Sequence, residues 1–105
     1  SSVQLFQSQI YFMIYNIYIM DINQLIEIIE QKILSQDCIL KVDVQDKSFL
    51  HKNHKSNVEG KFHILLLIKS PELEKKNKLD SNRFIYQILQ DEIKNYIHSL
   101  QIKLI

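Results

Sequence analysis

The apolar positions of this chain follow two rhythms in turn. From Asp21 onward, Ile22, Leu25, Ile26, Ile29 and Ile33 recur at steps of three and four, with Glu27, Glu30, Gln31 and Lys32 on the remaining positions. That period lines one face of an α-helix. Asp21 stands where an N-cap carboxylate belongs, and Gln24 follows it at capping-box spacing. The helical rhythm stops at Ser35-Gln36-Asp37. A period of two replaces it across Cys38–Val44, where Leu40, Val42 and Val44 alternate with Lys41 and Asp43, which predicts a half-buried strand. The stretch from Gln45 to Gly60 is polar, with only Phe49, Leu50 and Val58 to anchor it. A loop of that length inside a small domain is a place for function or motion, and we expect it to be poorly ordered in the free protein. Phe62–Ile68, between Lys61 and Lys69, is almost unbroken in its apolar character and fits a central strand covered on both faces, or one whose second face meets a partner. Ser70-Pro71 ends it. A charged stretch, Glu72–Lys78, then leads into a second amphipathic helix with Phe84, Ile85, Ile88, Leu89 and Ile93 on its apolar stripe, ending near Asn95-Tyr96. Ile97–Ile105 alternates again and places His98, Leu100, Ile102 and Leu104 on one face.

The order is therefore α-β-β-α-β. Strands joined by the polar loop are antiparallel, and strands joined through a helix are parallel by a right-handed crossover. The Lys61–Lys69 strand falls in the middle, which suits its apolar character. The expectation is one α+β domain of two layers, a three-stranded mixed sheet with both helices on one face, over residues 21–105. Residues 1–20 form an extension. Its apolar part, Ile10–Met20, is shorter than the roughly 20 residues a membrane helix takes. That leaves an extra strand or a membrane-touching segment as one reading and a stretch ahead of the natural start as the preferred one, with no membrane partner expected. No Lys or Arg precedes Lys32, unlike the basic region of a secretory signal or a mitochondrial presequence. A cytoplasmic protein with Met20 as its natural start is the expectation.

Composition narrows the chemistry. With 46% hydrophobic and 24% charged residues the chain has ordinary globular balance. Its 13 basic and 12 acidic side chains give a net charge of +1, far from the basic footprint of a dedicated nucleic-acid binder. A single cysteine, Cys38, makes no internal disulfide and cannot by itself hold zinc or a cluster. A single glycine, Gly60, excludes glycine-rich phosphate loops. Ser48 near His51 has no orienting acid or oxyanion donor in reach of the pattern, and Glu72, Glu74 and Asp80 read as a solvated face. The chain reads as a non-enzyme.

Four pieces of sequence, in order, resemble the BolA family. Ile97-His98-Ser99-Leu100-Gln101-Ile102 matches its tail of apolar residue, His, small residue, Leu, any residue, Ile. Leu89-Gln90-Asp91-Glu92-Ile93 is similar to the end of its second helix. Val42–Ser48 followed by His51 and His54 matches its first strand and a loop that carries His or Cys. Gly60-Lys61-Phe62 stands where the family has Ser-His-Phe. The resemblance covers residues 21–105. Two departures stand out. Ser81-Asn82-Arg83 replaces the family's Arg-His-Arg, and Leu73-Glu74-Lys75-Lys76 lacks the glycine of its Phe-Glu-Gly-Lys-like turn.

The resemblance implies an αββαβ fold related to the type II KH domain. It also implies partnership with a monothiol glutaredoxin through a shared [2Fe–2S] cluster, with glutathione on the glutaredoxin side. On that model this chain offers His98 and a loop histidine, His51 or His54. Imidazoles replace thiolates on one iron in Rieske centres, so the donor set is chemically sound. Read without the resemblance, His98 is a hydrogen-bonded residue at the margin of the core, and His51 and His54 are solvated loop residues among Lys47, Lys52 and Lys55. His63 reads as an ordinary strand residue, and Cys38 as core filler. A transcriptional regulator that binds DNA is the alternative from another class, using Lys75, Lys76, Lys78 and Arg83. Without a Gly-x-x-Gly loop and at +1, such binding would be weak and salt-sensitive. A third reading is a homodimer through the open sheet face bearing Leu65 and Leu67.

Overall fold

Asp21 starts the first long helix as its sequence predicts. Its carboxylate accepts from the backbone N–H groups of Asn23 (2.6 Å) and Gln24 (3.4 Å), and the Gln24 side chain accepts in return from the Asp21 N–H. The helix, α1 (Ile22–Leu34), buries Leu25, Ile29 and Ile33 and ends at Ser35, whose hydroxyl donates to the Lys32 carbonyl. The computed structural model describes residues 7–10, 20–48 and 61–105. Beyond α1 it contains β1 (Lys41–Asp46), β2 (Phe62–Lys69), α2 (Pro71–Glu74), α3 (Lys78–Ile88), α4 (Gln90–Asn95) and β3 (Ile97–Leu104). Residues 7–10 are helical. Among the described residues no helix is long and apolar enough to cross a membrane.

The sheet order is β1-β2-β3, with β1 antiparallel to β2 and β3 parallel to it. This is the mixed three-stranded sheet that the order of periods implied, with the most apolar strand in the middle. Ile64, Leu66 and Ile68 of β2 join Leu25, Ile29 and Ile33 of α1 and Ile85 and Leu89 of the crossover in one core. Each such side chain, fully withdrawn from water, contributes about 1.5–3 kcal/mol. The opposite face of β2 bears His63, Leu65 and Leu67. Leu65 and Leu67, on the face considered for a homodimer, are half-buried.

Three local expectations need correction. Leu40 lies before β1 and is 62% exposed, while Ile39 turns inward. The chain still turns at Ser35–Cys38, where Ile39 N–H bonds the Gln36 carbonyl, and the alternating pattern takes hold only from Lys41. The strand also runs two residues further, to Asp46, into the supposed loop. The crossover is three helical pieces rather than one. The charged stretch opens with α2, because Ser70 caps it and Leu73 anchors it in the core. A bend at Leu89 separates α3 from α4, across which the Leu89→Ile85 and Ile93→Leu89 backbone bonds persist. Of the loop expected to be poorly ordered, Gln45–Gly60, residues 49–60 lie outside the described residues, as do residues 1–6 and 11–19 of the extension.

Candidate functional site

The decisive local feature is an irregularity in the β2–β3 ladder. Phe62 pairs with Ile97 and His63 pairs with Ser99, so His98 faces no partner and forms a β-bulge. In a regular strand Ile97 and Leu100 point to opposite faces. The extra residue brings both to the core side, where Ile97 is buried and Leu100 packs against the cluster. His98 is thereby exposed, not at the core margin with Leu100 and Ile102 as simple alternation suggested. Bulges commonly re-aim a side chain in this way.

His63, taken from the sequence as an ordinary strand residue, is only 4% exposed and belongs to this corner. Its Nδ1 is hydrogen-bonded to Ser99 Oγ at 2.7 Å, in a direction set by the imidazole tautomer. Its ring meets that of His98 edge to face, centroids 4.9 Å apart and planes at 71°. The backbone of His63 is held as well. Its N–H donates to the Ser48 hydroxyl (3.1 Å), and its carbonyl accepts the Lys47 N–H (2.7 Å). Ser48 in turn donates to Asp46, whose carboxylate also takes the Ser48 N–H. The segment 49–60 thus departs from a point bonded to His63 and returns at Lys61, two residues before it. His51 and His54 belong to that segment and lie outside the described residues.

Lysines gather at the far end of β3. An open groove of about 410 Å³ lies between the start of α3 and the end of β3, with Lys76, Lys78 and Lys103 around it and Ile102 and Leu104 in its lining. Asn82 also lines it. Lys75 and Arg83 are exposed nearby in sequence but do not line the groove. Lys103 is the member that the charge pattern did not bring forward. Among the described residues no three His, Cys, Asp or Glu side chains converge as a metal site. Cys38 is free, half-buried and packed against the core.

A family model described as BolA-like protein matches residues 35–105. The chain belongs to the BolA-like family. The BolA domain of SufE1 from Arabidopsis thaliana has a structure similar to this BolA-like chain, with a TM-score of 0.61 and 30% identity over 72% of this chain and 84% of that one. BolA1 from the same plant shares the fold at a TM-score of 0.61 and 21% identity, over 75% of this chain and 87% of that one. Among curated proteins, SufE-like protein 1, chloroplastic/mitochondrial, of Arabidopsis thaliana is 32% identical over 68 residues. That match takes 60% of this chain but 18% of the plant protein, so the chain spans less than a fifth of that relative's length. In this BolA-like domain the tail motif has a physical shape: its apolar residue and its Leu, three apart, both reach the core only because the His and the small residue between them share the bulge.

Proposed function

We propose that this BolA-like chain is an accessory protein of iron–sulfur cluster assembly, trafficking and iron regulation. It acts without catalysis of its own by sharing a [2Fe–2S] cluster with a monothiol glutaredoxin and glutathione. His98 is one iron ligand and a loop histidine, His51 or His54, is the other. The observation that carries this reading is the bulge that presents the His98 imidazole at the surface beside the root of the loop. His51 is three residues beyond Ser48, a span of at most about 11 Å, and Ser48 is bonded to the residue whose ring touches His98. The root of the loop at Ser48 and the tail at His98 therefore meet at one corner. The similarity to the BolA domain of plant SufE1 is consistent with iron–sulfur-related work.

Mixing the protein with a monothiol glutaredoxin, iron, sulfide and glutathione is expected to give a heterodimeric cluster visible by absorption and circular dichroism. His98→Ala abolishes that spectrum, because no neighbouring side chain replaces the lost donor. His51→Ala weakens it less, since His54 lies three residues on. Asn82→His leaves it unchanged. A mixed-cluster spectrum unaltered in the His98 variant overturns the ligand assignment.

The groove ringed by Lys76, Lys78 and Lys103 favours a second reading, DNA binding by a regulator of transcription. Three phosphate contacts would give a slope of about −3 for log affinity against log salt. A gel shift across a salt series, with Lys103→Glu as the variant, tests it; retention that ignores salt and the variant removes the groove from consideration.

A further inference from the structure

We infer that His63, locked by Ser99, is the positioning residue that fixes the ring orientation of His98. The inference rests on the reading of His98 as a cluster ligand and adds to it the device that presents the ligand.

A histidine on an exposed strand position has little to hold it. The torsion that turns its imidazole is broad and nearly two-fold, and here the residue lacks even a paired position in the ladder. Its ring nonetheless meets a neighbour in an edge-to-face geometry at 4.9 Å, within the range where such pairs attract. A neighbour can orient a ring only if it is itself immobile, and His63 satisfies that condition three times over. Ser48 and Lys47 clamp its N–H and carbonyl from the β1 side, and Ser99 holds its Nδ1 from β3. The bulge joins these parts. Of its two outward residues, Ser99 secures His63 and His98 is oriented by it. Neither composition nor alternation reveals this, because the pairing of His63 with Ser99 rather than with His98 depends on the one-residue shift.

A ligand already held in one orientation loses little freedom when it meets iron, so its binding is correspondingly tighter. Removing a group that holds a metal-bound histidine typically weakens the metal 10–100-fold. Here the last contact is ring packing rather than a hydrogen bond to the ligand itself, which places the expected loss at the lower end, about tenfold.

The test uses the full chain with Ser99→Ala, His63→Leu and His63→Phe. In the protein alone, imidazole NMR is expected to show the His98 ring in one rotamer with cross-relaxation to His63, and averaged in Ser99→Ala and His63→Leu. With a monothiol glutaredoxin and glutathione, these two variants still assemble the mixed cluster but release it to a chelator at about tenfold lower chelator concentration. The electron paramagnetic resonance lines of their reduced cluster broaden as the imidazole orientation spreads. His63→Phe keeps an aromatic edge against His98 but loses the bond to Ser99, and is expected to fall between the wild type and His63→Leu. A role confined to packing would lower the melting temperature and leave the resonance lines of the cluster unchanged. Wild-type retention and line shape in both Ser99→Ala and His63→Leu overturn the inference. If the wild type forms no mixed cluster, the ligand reading fails on its own account and the NMR decides: an ordered His98 ring that loosens in the variants sustains the positioning role, and a ring averaged in the wild type ends it.

Discussion

The Lys32 ammonium lies 2.8 Å from both carboxylate oxygens of Glu92, sixty residues away in the chain. The pair ties α1 to α4, with Glu92 buried and the lysine side chain 38% exposed. Its two halves are therefore not equivalent. Lys32→Met strands a carboxylate out of water and is expected to lower stability by about 1–3 kcal/mol, below the full cost of breaking a buried pair because one partner is wet. Glu92→Gln leaves only a partly solvated ammonium and should cost distinctly less. Urea unfolding of both variants checks the order, and equal losses would show that the carboxylate is not stranded.

Ser70 makes two bonds from a fully buried position, accepting from the Leu73 N–H and donating to the Cys38 carbonyl. It caps α2 and fastens the turn before β1 to the start of the crossover. Ser70→Ala forfeits a helix cap and leaves a carbonyl without its donor, for an expected loss of about 1–2 kcal/mol. In a domain of this size that corresponds to a fall of roughly 4–16 °C in melting temperature, measurable by circular dichroism.

Ser48→Ala removes the acceptor of the His63 N–H and one of the two Ser48 donors to Asp46, the backbone N–H remaining. The expected global cost is about 1 kcal/mol, but the local effect is larger. Amide hydrogen exchange at His63 and Lys47 should accelerate well beyond that of Leu66, in the middle of the same sheet. Uniform acceleration across β2 would mean that Ser48 does not act locally at the loop root.

Leu40 and Val44 share parity in the sequence but not in the structure, where Leu40 is 62% exposed and Val44 is buried. Leu40→Lys is expected to change stability by no more than about 0.5 kcal/mol. Val44→Lys buries an unpaired ammonium and should prevent folding or cost several kcal/mol. Thermal melts of the two variants separate the structural assignment from the simple alternating one.

What the sequence made legible depended on how regular each element is. α1 could be read to its cap because Asp21, Gln24 and the Leu25–Ile29–Ile33 spacing all express the same helix. The central place of β2 followed from its unbroken apolar run, and its two partners from the lengths of the connections. The crossover was less legible, since α2 is held by one cap and one buried leucine within a charged stretch that carries no period. At the candidate site, His98 was found through its motif, but its direction was misread by applying strict alternation across Ile97–Leu104. The signal that would have corrected it was present: two apolar residues, Ile97 and Leu100, three apart inside a strand. His63 and Ser99 left no such signal, because their bond is made across strands through a register that local pattern does not encode. Glu92 was likewise hidden, as its partner lies on a helix face that looks solvated in the sequence.

The register of β3 also says what the fold does not require. Taking His98 out of the chain would join Ile97 directly to Ser99, leaving Phe62–Ile97, His63–Ser99 and Ile64–Leu100 as consecutive rungs of an uninterrupted ladder. Every buried side chain of the strand would keep its side. For the architecture, His98 is a superfluous residue, and a shortened chain should fold at least as well as the natural one. A domain that accommodates an extra residue in β3, against the regularity of its own sheet, sets that side chain outside the demands of folding.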